Sequence, residues 1–281
     1  MNLEFLKPVS EYENTKLKLA QEKLNLELNS KEASFVNLHK TIDFDEIKSD
    51  ASKMKNQGYD SLAIIGMGGS SLGAKAIIEA ALQDSENCFF VDNLDEGLLS
   101  KLNRWSEKRK VLYLPISKSG NTLEVLAVLD YLFEKGVSKE DFFSVITPGK
   151  GKLSEFTKNF DWPHLTIPEN VGGRFSVFTA VGLFPFAFLG LDLNLIKETI
   201  EESASWIDNT DHEIYKFSLK NFKYFSENGA ENLVMFSYSD KLFYLGQWFC
   251  QLWGESLGKD GLGQLPIVAR GASDQHSLLQ L

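Results

Sequence analysis

The chain has 281 residues, 43% hydrophobic and 24% charged, which is typical of a globular protein with a sizeable core. Its net charge of −10, without any block of Lys or Arg, argues against nucleic acid as a partner. The longest apolar stretch, 180–191, is too short to span a bilayer, and residues 1–10 contain no apolar run of signal-peptide length. We therefore expect a cytoplasmic protein without a membrane segment.

The first half of the chain predicts an α/β fold. Residues 1–40 are predicted to form a helical arm, because Lys and Glu alternate with leucines between 11 and 29. A helix over 43–57 follows. Strands and helices then alternate as strand 61–65, helix 72–82, strand 88–91, helix 95–104, strand 111–116, helix 123–135 and strand 142–147. This alternation predicts a doubly wound parallel sheet that binds ligands at the carboxyl ends of its strands.

The second half predicts the beginning of another α/β unit. Its segments are helices over 180–189, 194–207 and 212–227, a strand over 232–237, a helix over 241–257 and a strand over 267–269. Because the chain stops soon after the last strand, we expect a fragment whose second sheet is unfinished. The predicted division is an arm (1–40), a first domain (41–195) and an incomplete second domain (196–281).

Two loops between a strand and a helix have the composition of a phosphate-binding site. The first, Gly66–Gly73, precedes a helix, so its backbone amides lie at a helix N-terminus, which favours an anion. The second, Ser117–Thr122, offers three hydroxyls and an ammonium in six residues. These groups suit a phosphate monoester better than an apolar ligand. We therefore predict a phosphorylated substrate, attracted by local donors rather than by the net charge.

Other polar residues are candidates for chemistry. The last long predicted helix is mostly apolar but carries Gln247, Gln251 and Glu255 at i, i+4 and i+8 on one face. Such a stripe either faces a polar pocket or is a solvated surface, and the pattern leaves both open. Arg174 follows two glycines that allow a ligand to approach closely, with a structural salt bridge as the alternative. His276 is the best acid–base candidate of four histidines, although a lone histidine is more often structural.

The first loop also partly matches a dinucleotide-binding fingerprint. Gly66 and Gly68 fit its first two glycine positions and Asp92 ends the next strand, but Ser71 stands at the third. The sequence has no Walker lysine and no His, Cys and carboxylate cluster with metal-ligand spacing. We therefore expect neither a cofactor nor a metal. The two cysteines are predicted to be buried free thiols.

Five segments together resemble the phosphoglucose isomerase family, whose members are built from two sugar-isomerase (SIS) domains. They are IGMGGSSLG at 65–73, SKSGNTLE at 117–124, GGRFS at 172–176, QLWGESLGK at 251–259 and GASDQHSLLQ at 271–280. The first two are typical of any SIS domain, whereas the last three, in this order, are specific to the isomerase. The resemblance implies a SIS domain followed by the start of a second one. It also implies cofactor-free interconversion of glucose 6-phosphate and fructose 6-phosphate through a cis-enediolate.

The resemblance further implies a role for each matched residue. Glu255 would be the base that moves a proton between C1 and C2, and Arg174 would stabilise the enediolate. His276 would open the sugar ring and would come from the other subunit of a homodimer. Gly173 would contact the substrate. The phosphate would be held by Gly69, Ser70, Ser117, Lys118, Ser119, Thr122 and Gln251.

Three functions stay open, in order of preference. The first is the isomerase, and the second is a SIS-type module that binds a sugar phosphate without turnover, which leaves Glu255 and Arg174 unexplained. The third is a dinucleotide-dependent oxidoreductase, against which the absent third glycine counts. The family's closing segment contributes a lysine for ring opening and a glutamine near the phosphate. Since this chain is expected to end before that segment, we expect it to lack full activity.

Overall fold

The computed structural model describes residues 15, 18–20, 22–24, 35–82, 85–209 and 211–279. The predicted arm over 1–40 therefore lies largely outside the described residues. Within the described part of the chain, no helix has the length and apolar character needed to cross a bilayer.

Five parallel strands form the main sheet, which confirms the predicted fold class. They are β1 (Ser61–Ile65), β2 (Cys88–Val91), β3 (Val111–Ser117), β4 (Ser144–Ile146) and β5 (His164–Thr166). Their order is β2-β1-β3-β4-β5, and each neighbouring pair is parallel. The sequence pattern does not predict β5, because this short edge strand buries Leu165 and exposes both of its neighbours. The chain reverses its direction of winding at β1 and β3, which brings the loops after these two strands side by side.

Helices cover both faces of this sheet. They are α1 (Leu38–Thr41), α2 (Phe44–Asn56), α3 (Leu72–Ala81), α4 (Glu96–Ser106), α5 (Leu123–Glu134), α6 (Gly151–Asn159) and α7 (Ala180–Phe188). Successive residues of β1 point to opposite faces. Leu62 and Ile64 pack in the core that contains residues of α2, α3 and α7, whereas Ala63 and Ile65 pack with α4, α5 and α6. The sheet is therefore doubly wound, as predicted.

A second, smaller α/β unit follows. It is preceded by α8 (Leu193–Ser205), which packs on the core of the main sheet through Leu193. The elements that follow are α9 (Glu213–Asn228), β6 (Asn232–Ser237), α10 (Phe243–Leu257), β7 (Leu265–Arg270) and α11 (Gln275–Leu278). β6 and β7 pair in parallel through all six residues of each strand. The predicted start of a second unit is thus present, while the predicted domain boundaries stay predictions.

Helix α10 joins the two units through close contacts at glycines. A Cβ atom placed on Gly73 of α3 would lie 3.3 Å from the indole of Trp248, and one placed on Gly246 would lie 2.6 Å from Val268 of β7. α10 is therefore packed between α3 and the two-stranded sheet. A larger residue at Gly73 would push α10 away from α3, and one at Gly246 would push α10 away from β7. This contact brings the polar stripe of α10 to the carboxyl edge of the main sheet.

Candidate functional site

The glycine loop, residues 66–73, connects β1 to α3. Gly68 to Ser70 form a 3-10 turn, and Gly68 has a φ of +54°, a conformation that favours glycine. The loop leads directly into α3, which begins at Leu72. Backbone N–H groups at such a helix N-terminus favour an anion, as the sequence indicates.

The serine loop, residues 117–122, is shaped from inside by its first residue. The Ser117 hydroxyl is buried, accepts a hydrogen bond from the Gly120 N–H at 3.0 Å and is hydrogen-bonded to the Thr122 hydroxyl at 2.8 Å. Gly120 has a φ of +68°, which permits the sharp turn. Ser117 therefore organises the loop, while the predicted contact between Ser117 and phosphate stays a prediction.

The two loops border one open cleft of about 630 Å³. It is lined by Ser70, Lys118, Ser119, Asn121, Thr122, Lys150 and Gly151. Sequence reasoning selected four of these residues and missed Asn121, Lys150 and Gly151. The Gly-Lys-Gly run at 149–151, placed directly after β4, is the signal that could have revealed the last two. Gly151 packs against the serine loop, because a Cβ there would lie 2.6 Å from the Ser119 carbonyl oxygen.

Two ammonium groups give the cleft a local positive charge. Lys118 donates hydrogen bonds to the carbonyl oxygens of Glu169 (2.8 Å) and Val171 (2.6 Å), so its side chain is held in place. Burial lowers the pKa of Lys118, and the nearby charge of Lys150 lowers it further. Lys150 forms an ion pair with the Glu169 carboxylate, with Nζ and Oε1 3.0 Å apart. A phosphate dianion in the cleft would relieve the repulsion between the two lysines.

The polar stripe of α10 faces the glycine loop at Gln251. The Gln251 Nε2 donates a hydrogen bond to Glu255 Oε1 at 2.9 Å, and a Cβ on Gly68 would lie 3.1 Å from that nitrogen. Gln251 Oε1 is buried and has no hydrogen-bond partner among the described residues. The Glu255 side chain is 50% exposed. The stripe thus ends in a half-exposed carboxylate held by its neighbour one turn earlier.

Arg174 lies beside that carboxylate. Its Nη1 is 3.6 Å from Glu255 Oε2, and its Nε donates to the Ser256 hydroxyl at 2.9 Å. The guanidinium also lies over the Phe175 ring, with 4.4 Å from Cζ to the ring centroid. Its position depends on a glycine contact, because a Cβ on Gly69 would lie 2.8 Å from the Arg174 amide nitrogen. Sequence reasoning found Arg174 and Glu255 but missed Ser256.

His276 is not joined to this group in the described chain. It is exposed on the short helix α11, and its imidazole makes no hydrogen bond or ion pair with any described residue. Its backbone N–H donates to the Ser273 carbonyl oxygen. The structure therefore brings Glu255 and Arg174 close to the glycine loop, which borders the same cleft as the serine loop, whereas the role implied for His276 stays a prediction.

Asp92, which a dinucleotide site would use for a ribose, is already engaged. Its Oδ2 lies 2.9 Å from Lys75 Nζ in an ion pair that is largely buried. The same ammonium lies 4.3 Å from the Tyr244 ring centroid of α10. The pair therefore supports the packing of α10 on the main sheet.

The two cysteines, Cys88 and Cys250, are free, as predicted, and each is partly buried. Burial raises the pKa of both thiols. Because the thiolate is the nucleophilic form, a raised pKa lowers the reactivity of a thiol.

The fold and the arrangement of the loops define an α/β protein of the SIS-domain class. The phosphoglucose isomerase family model matches residues 24–265, and the chain belongs to the phosphoglucose isomerase family. It is 42% identical to a glucose-6-phosphate isomerase of Methanocaldococcus jannaschii over 236 residues, covering 80% of this chain and 57% of that protein. It is 34% identical to a glucose-6-phosphate isomerase of Campylobacter jejuni over 232 residues, covering 79% of this chain and 57% of that protein. The chain thus spans little more than half the length of these relatives.

Solved structures agree with this assignment at the level of the fold. A hypothetical protein from Thermus thermophilus superimposes with a TM-score of 0.81 at 27% identity, covering 95% of this chain and 67% of that chain. A glucose-6-phosphate isomerase from Chlamydia trachomatis gives a TM-score of 0.70 at 23% identity, covering 84% of this chain and 50% of that chain. The second similarity supports the shared fold alone.

Proposed function

We propose that this chain carries the isomerase site that interconverts glucose 6-phosphate and fructose 6-phosphate, a step of glycolysis and gluconeogenesis. The observation that carries the proposal is the pairing of Glu255 with Arg174 at 3.6 Å beside two phosphate-type loops. A module that merely binds a sugar phosphate needs the loops but has no use for this pair. The names of the curated relatives support the same reaction.

The phosphate is proposed to bind in the cleft between the glycine loop and the serine loop. Lys118 and Lys150 supply positive charge there, and the hydroxyls of Ser70, Ser119 and Thr122 supply hydrogen-bond donors. Anchoring the phosphate at one end fixes the distance of the sugar carbons from the base, which removes much of the entropic barrier. Gly69 allows the glycine loop to approach the backbone of Gly173 and Arg174 beneath this site.

The chemistry proposed for Glu255 is a proton transfer. Its carboxylate removes the C2 proton of the open-chain aldose while the C2 electron pair moves toward the C1 carbonyl, which becomes the enediolate oxygen. The carboxylate then returns the proton to C1, while the hydroxyl proton moves from O2 to O1, so that C2 becomes the ketose carbonyl and C1 carries the hydroxyl. Arg174 is a fixed cation that stabilises the negative oxygen between these two steps. Gln251, which donates to Glu255, keeps one carboxylate oxygen oriented.

His276 is proposed to act in the site of a second copy of the chain. Its exposed imidazole on α11 is available to another subunit, and ring opening needs an acid–base group of this kind. Mixing His276→Ala with Glu255→Gln should then restore one complete site in a heterodimer, although each variant alone is impaired. Failure of the mixture to regain activity, with dimers present by size measurement, would contradict this arrangement.

The proposed compartment is the cytoplasm, since a phosphate ester does not cross a bilayer unaided.

The test is deuterium exchange followed by NMR. Fructose 6-phosphate in D2O is incubated with the chain, with Glu255→Gln and with Glu198→Gln, a control that changes an exposed carboxylate of α8. Deuterium at C1 and formation of glucose 6-phosphate are expected with the chain and the control, and neither with Glu255→Gln. Sugar-phosphate binding by calorimetry without any exchange would instead indicate the non-catalytic binding module.

A further inference from the structure

The hydroxyl of Ser256 contacts Arg174 but takes no part in the proposed proton transfer. Ser256 follows the proposed base on α10, and its oxygen accepts a hydrogen bond from Arg174 Nε at 2.9 Å. The two residues are 82 positions apart in the chain. This contact therefore links the helix of the base to the segment of the cation.

Hydroxyls on other helices of this chain behave differently. Those of Thr199, Ser203, Ser218 and Ser226 donate to the carbonyl oxygen four residues earlier. That local bond is the common choice for a helical hydroxyl. Within the described residues, the Ser256 hydroxyl is bonded to a charged group on another segment instead, which indicates a role beyond helix structure.

The distance between the two charges explains why such a contact would matter. An ammonium or guanidinium in a tight bond with a carboxylate lies about 2.7–2.9 Å from it. Arg174 Nη1 is 3.6 Å from Glu255 Oε2, so the two charged groups lie farther apart than in such a tight bond. A full collapse would neutralise the base and occupy the cation, and both must stay available to the substrate.

We propose that Ser256 is a positioning residue, whose hydroxyl holds the guanidinium of Arg174 away from full contact with Glu255. The face of the guanidinium is restrained by the Phe175 ring, which is itself stacked on Phe35 with centroids 4.1 Å apart. The ring fixes the plane of the guanidinium, and the hydroxyl fixes its rotation within that plane. The inference rests on the proposed isomerase function.

The kinetic test compares Ser256→Ala, Ser256→Thr and the control Ser226→Ala. Alanine has a higher helix propensity than serine, so the first variant keeps α10 intact. We expect its kcat to fall about tenfold with KM within about twofold, because the phosphate contacts are unchanged. The threonine variant, which retains the hydroxyl, should recover most of the activity, and Ser226→Ala should match the unmodified chain. A Ser256→Ala enzyme with normal kcat would overturn the proposal.

A spectroscopic test separates this inference from the proposed function. The sequence contains four arginines, at 104, 109, 174 and 270, so the side-chain Nε–H spectrum is simple. Arg174→Lys identifies the signal of Arg174 by its loss. We expect this N–H to exchange with water at least about tenfold faster in Ser256→Ala and at the original rate in Ser256→Thr. An unchanged exchange rate in Ser256→Ala would refute the positioning contact, whereas absence of isomerisation by the unmodified chain would refute the proposed function alone.

Discussion

Replacing Gly69 by alanine should separate two backbones that support the site. A Cβ at this position would lie 2.5 Å from the Gly173 carbonyl carbon and 2.8 Å from the Arg174 amide nitrogen. Both neighbours are backbone atoms, so no flexible side chain can move aside. The segment that carries Arg174 must therefore shift away from the glycine loop.

The size of the effect follows from this overlap. The Cβ would be about 0.9 Å closer to the carbonyl carbon than ordinary van der Waals contact allows, and overpacking of this kind costs about 1–3 kcal/mol. A loss of about 2 kcal/mol corresponds to a fall in Tm of about 3–4 °C for a chain of this size. Because Arg174 moves with the backbone, kcat/KM should also fall by about tenfold or more. Urea unfolding and the isomerase assay measure the two effects separately.

Gly173→Ala is the matched control for stability. A Cβ at Gly173 would have no heavy atom within 4 Å, although Gly173 is the residue that Gly69 contacts. Its alanine variant should unfold like the unmodified chain or be more stable by about 0.4–1 kcal/mol. If Gly69→Ala stays within about 0.5 kcal/mol of the unmodified chain, or if both variants lose the same stability, the steric reasoning is wrong.

Three further predictions concern the cleft and the support of α10. Affinity for a sugar phosphate, measured by calorimetry, should fall as the pH rises through the lowered pKa of Lys118, because Lys118 then loses its charge. Lys150→Met removes a charge that lowers this pKa, so the fall in affinity should move to higher pH. An unmoved pH profile would contradict the electrostatic coupling between Lys118 and Lys150. Lys75→Met removes the ammonium that lies 2.9 Å from the largely buried Asp92 carboxylate, and it should lower the free energy of unfolding in urea by about 1–2 kcal/mol. An unchanged free energy of unfolding would show that the pair contributes nothing. Gly120→Ala would place a Cβ 2.8 Å from the Lys150 carbonyl carbon and should weaken phosphate binding by at least about tenfold, whereas Gly136→Ala, with the same sign of φ but open space, should not.

The positions of the glycine loop and the serine loop between a strand and a helix could be predicted because their signals are local. A strand, a glycine-rich turn and a helix start lie within thirteen residues of one another at 61–73, and their order determines where the amide groups point. The same argument applies to 111–123. The parallel sheet also follows from local alternation, and β1 has the predicted bounds of 61–65. β2 and β6 also have their predicted bounds, and the ends of the other predicted helices and strands differ by at most two residues, as fraying ends usually do.

The contacts between segments could not be read from local patterns. Lys150 lies in the cleft because β4 is adjacent to β3. The Gly-Lys-Gly run at 149–151 indicates a turn that carries a cation, but it does not show which loop lies beside that turn. Ser256 is one of several helical serines, and its bond to Arg174 depends on the packing of α10 against the main sheet. Ser117 was selected for its hydroxyl, but the fold uses that hydroxyl within its own loop. Residue type indicates possible chemistry, whereas tertiary packing decides which partner is taken.

Contacts at glycines hold the proposed catalytic groups together. The glycine loop contacts Gln251 through Gly68 and the Arg174 segment through Gly69, and α3 contacts Trp248 through Gly73. The proposed phosphate site and the proposed proton-transfer site therefore share one segment of backbone, the glycine loop. A displacement of this loop should move the base, the cation and the phosphate donors relative to one another. For that reason, substitutions at these glycines should lower kcat as well as raise KM, unlike removal of a single phosphate donor, which should act mainly on KM.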